Sequence, residues 1–463
     1  MLRYLRQISV HHQFGKHPLA VFSTGRFFAD LADGSSHSAA QNETYLKRNY
    51  ADNVSEYNTV LNSLISQRRY YLLRDVYDDM ILDGVQPIRD TFHSLSIGAM
   101  KQSKLQDAFF FRDEMKTMGI SSDVVVYNYM ISACAKCKNS DMAVKLLEEM
   151  KKCGVKPNGQ TYICLLNAFA STGRIDRVYA IVRDMTAAGL GLNKYCYAGL
   201  IAAHKNKVPH TDDTCNKIID LVKQSKGWSS VETLPNAAEN DMVGVSEEEL
   251  YNIPTADYVF RRGFLNRSHT VYHVASLACA DLHSVETLET ILEMLKQDGT
   301  TPDVFTVIQT LRCYLNCGDI DHAVQVFEDH LANRLPNVEL YIALAYGAMK
   351  GNTPHGMQVA QDTLEKFNSK GYFLNIWQGS ALLLAASGEE SGGFTTANYI
   401  WDLMASRRTF PAFHAMEAYL KGLKKREIPA DDPRLLLVTR MCDNHRGRFG
   451  TGPPVQMINN SLW

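Results

Sequence analysis

A chain of 463 residues, 45% hydrophobic and 21% charged, is too long for one compact core and implies either roughly two to four domains or a repeated array. It holds no apolar run of about eighteen residues, so no membrane-spanning helix and no membrane association is expected. A formal charge of −2 and a pI near 6.7 give no global basic signature, so any nucleic-acid contact must come from a local groove. The ten cysteines are scattered through helical patterns without a compact framework, which fits a reducing compartment.

Residues 1–28 carry Arg3, Arg6, Lys16 and Arg26 and no acid, and Leu2, Leu5 and Ile8 can share one face of a short helix. That is the composition of an organellar presequence, and the early arginines favour a mitochondrial over a plastid address. Arg26, Phe28 and Ala29 have the spacing of a processing site; cleavage after Phe28 would take the net charge from −2 to −6. Residues 29–53 read as a polar, disordered linker.

From Val54 a fixed period begins. Val54 to Ile88, Arg89 to Asp123, Val124 to Asn158 and Gly159 to Asn193 are four consecutive units of thirty-five residues. In the third, Tyr127, Met130, Ile131 and Cys134 are apolar at helical spacing, and Ala143, Leu146, Leu147 and Met150 repeat the pattern after Asn139 and Ser140. Gly154 and Pro157 then stop the second helix, because glycine accepts a left-handed cap and proline cannot extend a helix. A fifth, degenerate unit starts at Lys194 and closes the first array at 224. The expected fold is all-α: a right-handed α-solenoid superhelix of helix-turn-helix units, each burying its apolar side against its neighbours.

Residues 225–268 interrupt this period. The stretch to Pro254 is acidic and rich in Gly, Ser, Pro and Asn, which predicts a mobile loop. Tyr251 to Arg267 interleaves aromatic and basic residues, so Arg261, Arg262 and Arg267 either pack back on the solenoid or meet a phosphate backbone. A second array over 269–425 holds two regular units, His269 to Asp303 and Val304 to Asn337, then two degenerate ones and a last helix near Phe413 to Lys425. Residues 426–463, with Arg446 and Arg448, read as a flexible basic tail.

These units resemble the pentatricopeptide repeat family, in an array without an effector domain. The resemblance rests on Tyr127-Asn128, on Ala143, Leu146 and Met150, and on Gly154-Val155-Lys156-Pro157-Asn158. The thirty-five-residue period separates it from the thirty-four-residue tetratricopeptide repeat. It implies an organellar, RNA-associated protein whose concave face offers one base per unit. In the family the fifth and last residues of a unit select the base and the second packs against base faces. The implied contacts here are Asn58; His93 and Asp123; Val125, Asn128 and Asn158; Asn193; His273 and Asp303; and Asn337.

Only Val125, Asn128 and Asn158 match a base-reading combination. Ile163 and Ile308, at fifth positions, offer no hydrogen bond to a base edge, and Asp90 and Asp123 on one rim repel phosphate. Such an array is not expected to read a transcript by sequence; contacts by shape and charge survive. Cys134 and Cys137 form a Cys-x-x-Cys inside an apolar helical pattern with no second pair, which reads as packing. His269, His273 and His283 lie in helical patterns without a paired carboxylate. No cofactor, metal site, small-molecule substrate or catalysis is expected. The resemblance, closest to members built into plant mitochondrial ribosomes, implies a non-catalytic scaffold of the mitochondrial matrix, part of the mitochondrial ribosome and favouring the small subunit, with ribosomal RNA and mitochondrial ribosomal proteins as partners; the alternative is a free RNA-binding factor for the stability, processing or translation of specific organellar transcripts.

Overall fold

A computed structural model describes residues 50–211, 213–226, 245–334, 336–389, 394–426 and 428–449, and for 448 and 449 the backbone alone. Arg26, Phe28 and Ala29, with the whole presequence, lie outside these residues. The chain divides into two compact units, one ending at Ser122 and the other starting at Asp123. That division falls inside the first expected array and not at the insertion.

Among its described residues the first unit holds two helical hairpins: α1 (Val54–Ser66) with α2 (Leu73–Leu82), and α3 (Arg89–Gln102) with α4 (Leu105–Thr117). Tyr57, Leu61, Leu64, Phe92, Leu95 and Met115 form its core. Tyr77 meets the rings of Phe92 and Phe111 at 6.1 and 5.5 Å, and its hydroxyl donates to Glu114 at 2.9 Å.

The second unit continues in pairs: α5 (Val124–Lys136) and α6 (Ser140–Lys152), α7 (Gly159–Ala170) and α8 (Ile175–Ala187), α9 (Lys194–Asn206) and α10 (Thr214–Lys226). A single turn, α11 (Glu247–Leu250), lies in the insertion. The pairs resume with α12 (Thr270–Leu282) and α13 (Val285–Gln297), α14 (Val304–Asn316) and α15 (Ile320–Asn333), α16 (Val338–Met349) and α17 (Pro354–Ser369), α18 (Ile376–Ala386) and α19 (Thr395–Ser406). Among the described residues the series ends with α20 (Phe413–Lys425) and α21 (Pro433–Phe449). No strand occurs among the described residues.

The period has a physical cause at each closing turn. Gly84, Gly119, Gly154 and Gly189 all have φ between 72° and 75°, the left-handed region that only glycine enters without cost. The following N–H, of Val85, Ile120, Val155 or Leu190, returns to the carbonyl of Met80, Met115, Met150 or Met185 at 2.9–3.0 Å. This is the Schellman closure, and the four methionines are buried to 1% exposure or less.

Within the second unit the first helices α5, α7, α9, α12, α14 and α16 pack on one another in an unbroken row, whereas the second helices meet chiefly their own partners. The row of first helices is therefore the tighter, inner layer. Glycines admit the close approach: a Cβ on Gly199 would lie 2.1 Å from Leu166 Cδ2, and one on Gly347 would lie 2.4 Å from Leu315 Cδ1.

Two expectations are corrected. The 426–463 tail is not flexible throughout: residues 433–449 form α21, started by Pro433 and by the Asp432 carboxylate, which accepts the N–H of Arg434 and Leu435 at 2.8 and 3.0 Å. Val438 and Cys442, one turn apart, are fully buried, so the helix covers apolar surface. In the insertion, residues 245–254 are packed, because Leu250, Tyr251 and Ile253 supply burial that offsets their ordering. Residues 227–244 lie outside the described set.

Candidate nucleic-acid interface

The last residue of a regular unit caps the next first helix with its side chain, except Ile88 of the first unit. Asp123 accepts the N–H of Val126 at 3.0 Å, Asn158 that of Thr161 at 2.9 Å, Asn193 those of Tyr195 and Cys196 at 3.0 and 3.1 Å, and Asn337 that of Glu339 at 3.0 Å. Asp303 accepts from Thr306 at 3.0 Å. Short polar side chains suit this place because they satisfy otherwise unpaired helix-end donors.

Fifth residues are drawn into the same caps. Asn128 is only 2% exposed; its Oδ1 accepts from the Thr161 hydroxyl at 2.7 Å and its Nδ2 donates to Asn158 at 3.4 Å. In the first unit the Thr91 hydroxyl donates to Asn58 at 2.7 Å. His273 Nε2 bonds Asp303 Oδ2 at 2.7 Å, while Thr306 donates its hydroxyl to Asp303 Oδ1 at 2.9 Å. In all three cases a threonine stands at the third place of the following unit, thirty-three residues beyond the polar fifth residue. Ile163 and Ile308 are followed there by Cys196 and Leu340. His93 is buried, with Val126 at the matching place, and Val125 is half-buried. That threonine spacing is legible in the sequence and marks fifth residues committed to a cap.

The expectation that the histidines lack a paired carboxylate is also corrected. His269 and His273 lie one turn apart beside Asp303, with ligand atoms within 4.8 Å of one another. Asp303 nevertheless spends its oxygens on four hydrogen bonds, from His273, from the Thr306 N–H and hydroxyl, and from the Asn266 N–H at 2.8 Å. Burial pushes its pKa upward, but these donors outweigh it and hold the carboxyl down at about 2. A carboxylate so engaged fits a cap better than a metal ligand. Burial also lowers the pKa of His269, favouring its neutral form. Cys134 is buried and its thiol is pushed up to about 12, whereas Cys137 is exposed, so the Cys-x-x-Cys pair does not converge on one environment.

The basic candidates do not form a free stripe. Arg261 pairs with Glu339 and lies 5.1 Å from the Tyr258 ring. Arg267 grips Glu248 with two bonds of 2.9 and 2.7 Å, and Arg446 pairs with Glu417 at 2.7 Å. Arg262 is exposed; the Arg448 side chain lies outside the described set.

Residues 246–267 cross the inner row itself. Leu250 O accepts from the Ser132 hydroxyl of α5 at 2.6 Å and lies 3.9 Å from Cys164 Sγ of α7. Tyr251 packs on Tyr195 of α9 at 5.0 Å, and Tyr195 donates to Glu248 at 2.9 Å. Tyr258 stacks on Phe264 at 4.7 Å and both reach α14, where the Phe305 N–H donates to Phe264 O at 3.3 Å. Glu248 is 1% exposed; burial raises its pKa, but the Arg267 guanidinium and the Tyr195 hydroxyl bring it below the usual value. Of the two readings open for Tyr251 to Arg267, packing back on the solenoid is the one observed. Sequence reasoning missed Glu248 and Tyr195; the apolar residues among the acids at 247–253 were the available signal.

Fold and caps together define an α-solenoid of thirty-five-residue helical hairpins. Models of the PPR repeat family and of the PPR repeat match residues 122–171 and 160–190. The chain is 56% identical, over 416 residues covering 90% of it and 94% of its relative, to the pentatricopeptide repeat-containing protein At4g35850, mitochondrial, of Arabidopsis thaliana. The chain belongs to the pentatricopeptide repeat family. Its fold is similar to that of the pentatricopeptide repeat protein PPR10 in complex with an 18-nt psaJ RNA element, with a TM-score of 0.50 and 18% identity over 87% of this chain. A cysteine-substituted form of that complex gives the same figures, and this chain spans 55% of that protein's length.

Proposed function

We propose that this chain is a non-catalytic, RNA-associated scaffold of mitochondrial gene expression, built into the mitochondrial ribosome and seated on its small subunit, where it contacts ribosomal RNA and ribosomal proteins. The observation that carries this reading is the commitment of the fifth and last residues to helix caps. Asn58, Asn128 and His273 bond neighbouring residues of the chain, and Ile163 and Ile308 are apolar, so base-edge readout has little to work with. Contacts to folded RNA by shape and charge need no such readout. The mitochondrial relative and the acid-free, arginine-bearing residues 1–28 support a mitochondrial address in the matrix.

Sedimentation of the tagged protein from mitochondrial lysate through a magnesium-containing gradient tests the proposal. Co-migration with the small subunit, retained after nuclease treatment of accessible RNA, is the expected result. Migration away from both subunits, with one short messenger footprint on crosslinking, would replace this reading with that of a free RNA-binding factor for organellar transcripts.

A further inference from the structure

The segment that crosses the inner row does so in register with the repeats. Tyr195, Thr270, Phe305 and Glu339 are the second residues of four successive units, beginning at Lys194, His269, Val304 and Val338. Three of the four are met across the fold: Tyr195 by Glu248 and Tyr251, Phe305 by Tyr258 and by the Phe264 carbonyl, and Glu339 by Arg261, whereas Thr270 bonds the carbonyl of Arg267, three residues before it, at 2.8 Å. The second position is the one the family resemblance assigns to packing against base faces. Two aromatic rings of the segment, Tyr251 on Tyr195 and Tyr258 near Phe305, therefore pack on residues that the resemblance assigns to base contact, with Phe264 stacked on Tyr258.

We infer that residues 246–267 are a built-in occupant of the inner face, holding the place of single-stranded RNA on the units that begin at Lys194, Val304 and Val338 and excluding it from them. This deepens the scaffold reading and rests on it for the identity of the competitor. The anchoring is of the kind that does not yield to a weak ligand. Leu250, Tyr251, Ile253, Tyr258 and Phe264 are all buried, and the carboxylate of Glu248, 1% exposed, is matched by Arg267 and Tyr195. Displacement would return five large side chains to water and strip a buried charge of its partner. RNA contact is thereby directed away from Tyr195 and Phe305.

The chain carries a reporter of this cover. Cys164 is buried beneath Leu250, whereas Cys137, Cys153 and Cys317 are exposed and serve as internal controls. The test is maleimide labelling of the full-length protein, mapped by peptide mass, with and without a single-stranded oligouridine, together with ultraviolet crosslinking of that probe. Cys164 is expected to label slowly at a rate that oligouridine leaves unchanged, and crosslinks are expected to avoid Tyr195 and Phe305. Arg267→Ala and Tyr251→Ala should each raise the Cys164 rate about tenfold by favouring local opening.

Rapid labelling of Cys164 in the unsubstituted protein, acceleration by oligouridine, or crosslinks at Tyr195 or Phe305 would each overturn the inference. So would two folded variants with unchanged rates; if either variant fails to fold, the unsubstituted protein still decides. Ribosomal co-sedimentation with an RNA-accelerated Cys164 would sink this inference and leave the scaffold reading standing, and the converse pair of results would do the reverse.

Discussion

Replacing Thr161 by valine removes one hydroxyl while keeping the branched shape, and the structure assigns that hydroxyl two duties. It donates to Asn128 Oδ1 at 2.7 Å and accepts the Asn158 N–H at 3.2 Å. Asn128 is 2% exposed and Thr161 is fully buried, so water cannot replace the lost donor. One buried amide oxygen left without its donor costs about 2 kcal/mol. Long repeat arrays need not unfold as one unit, so the appropriate assay is amide hydrogen exchange of α7 under conditions where opening is limiting in free energy. A loss of about 2 kcal/mol raises exchange there about 30-fold. The contrast is Asn128→Ala: the Thr161 hydroxyl can then turn to Asn158 Oδ1, already 2.9 Å away, and the cost falls to about 1 kcal/mol. Oligouridine affinity should change by less than about twofold for either variant, since neither group is offered to a base. Unchanged exchange in Thr161→Val, together with a large loss of RNA affinity in Asn128→Ala, would refute the cap assignment and restore Asn128 as a base reader.

Other expectations follow from the same geometry. Gly199→Ala places a methyl 2.1 Å from Leu166 Cδ2 and 2.8 Å from Asn167 Oδ1, and should destabilise the α7–α9 contact by about 1–3 kcal/mol, read as faster exchange in both helices; a neutral result would deny that the inner row is close-packed there. The folded pKa of Asp303, about 2, lies below its ordinary 3.8, so its contribution of about 2 kcal/mol is present above pH 4 and is lost as pH falls toward 2; Asp303→Asn should flatten that acid limb in an unfolding titration. Burial lowers the pKa of His204, His269 and His330, so the unfolded chain takes up protons first. Melting temperature should therefore fall as pH drops below 6.5, and a flat profile between neutrality and pH 5.5 would contradict it. Replacing Asn128 and Asn158 together by alanine should leave association with the ribosomal particle nearly intact, measured by co-sedimentation.

Much of this molecule is local and therefore legible in the chain. The glycines at 84, 119, 154 and 189 and the methionines four residues before each fix where the first four hairpins end, because a left-handed cap and its returning N–H involve only neighbouring residues. The same holds for Asp123, Asn158, Asn193, Asp303 and Asn337: the sequence places them before first helices, where short polar side chains cap. What they do beyond that is decided at a distance. Asn128 looks like a base reader until Thr161 arrives over it, and Arg261 and Arg267 look like phosphate contacts until Glu339 and Glu248 take them up. Ionic and hydrogen-bonding side chains are satisfied by whichever partner the fold brings within about 3 Å, a fact that residue spacing does not carry across a long insertion. The repeat, its period and its ends belong to the sequence alone. The occupation of the inner face by residues 246–267 belongs to the tertiary structure, because burying Leu250, Tyr251 and Phe264 requires surfaces contributed by helices as far apart as α5 and α14.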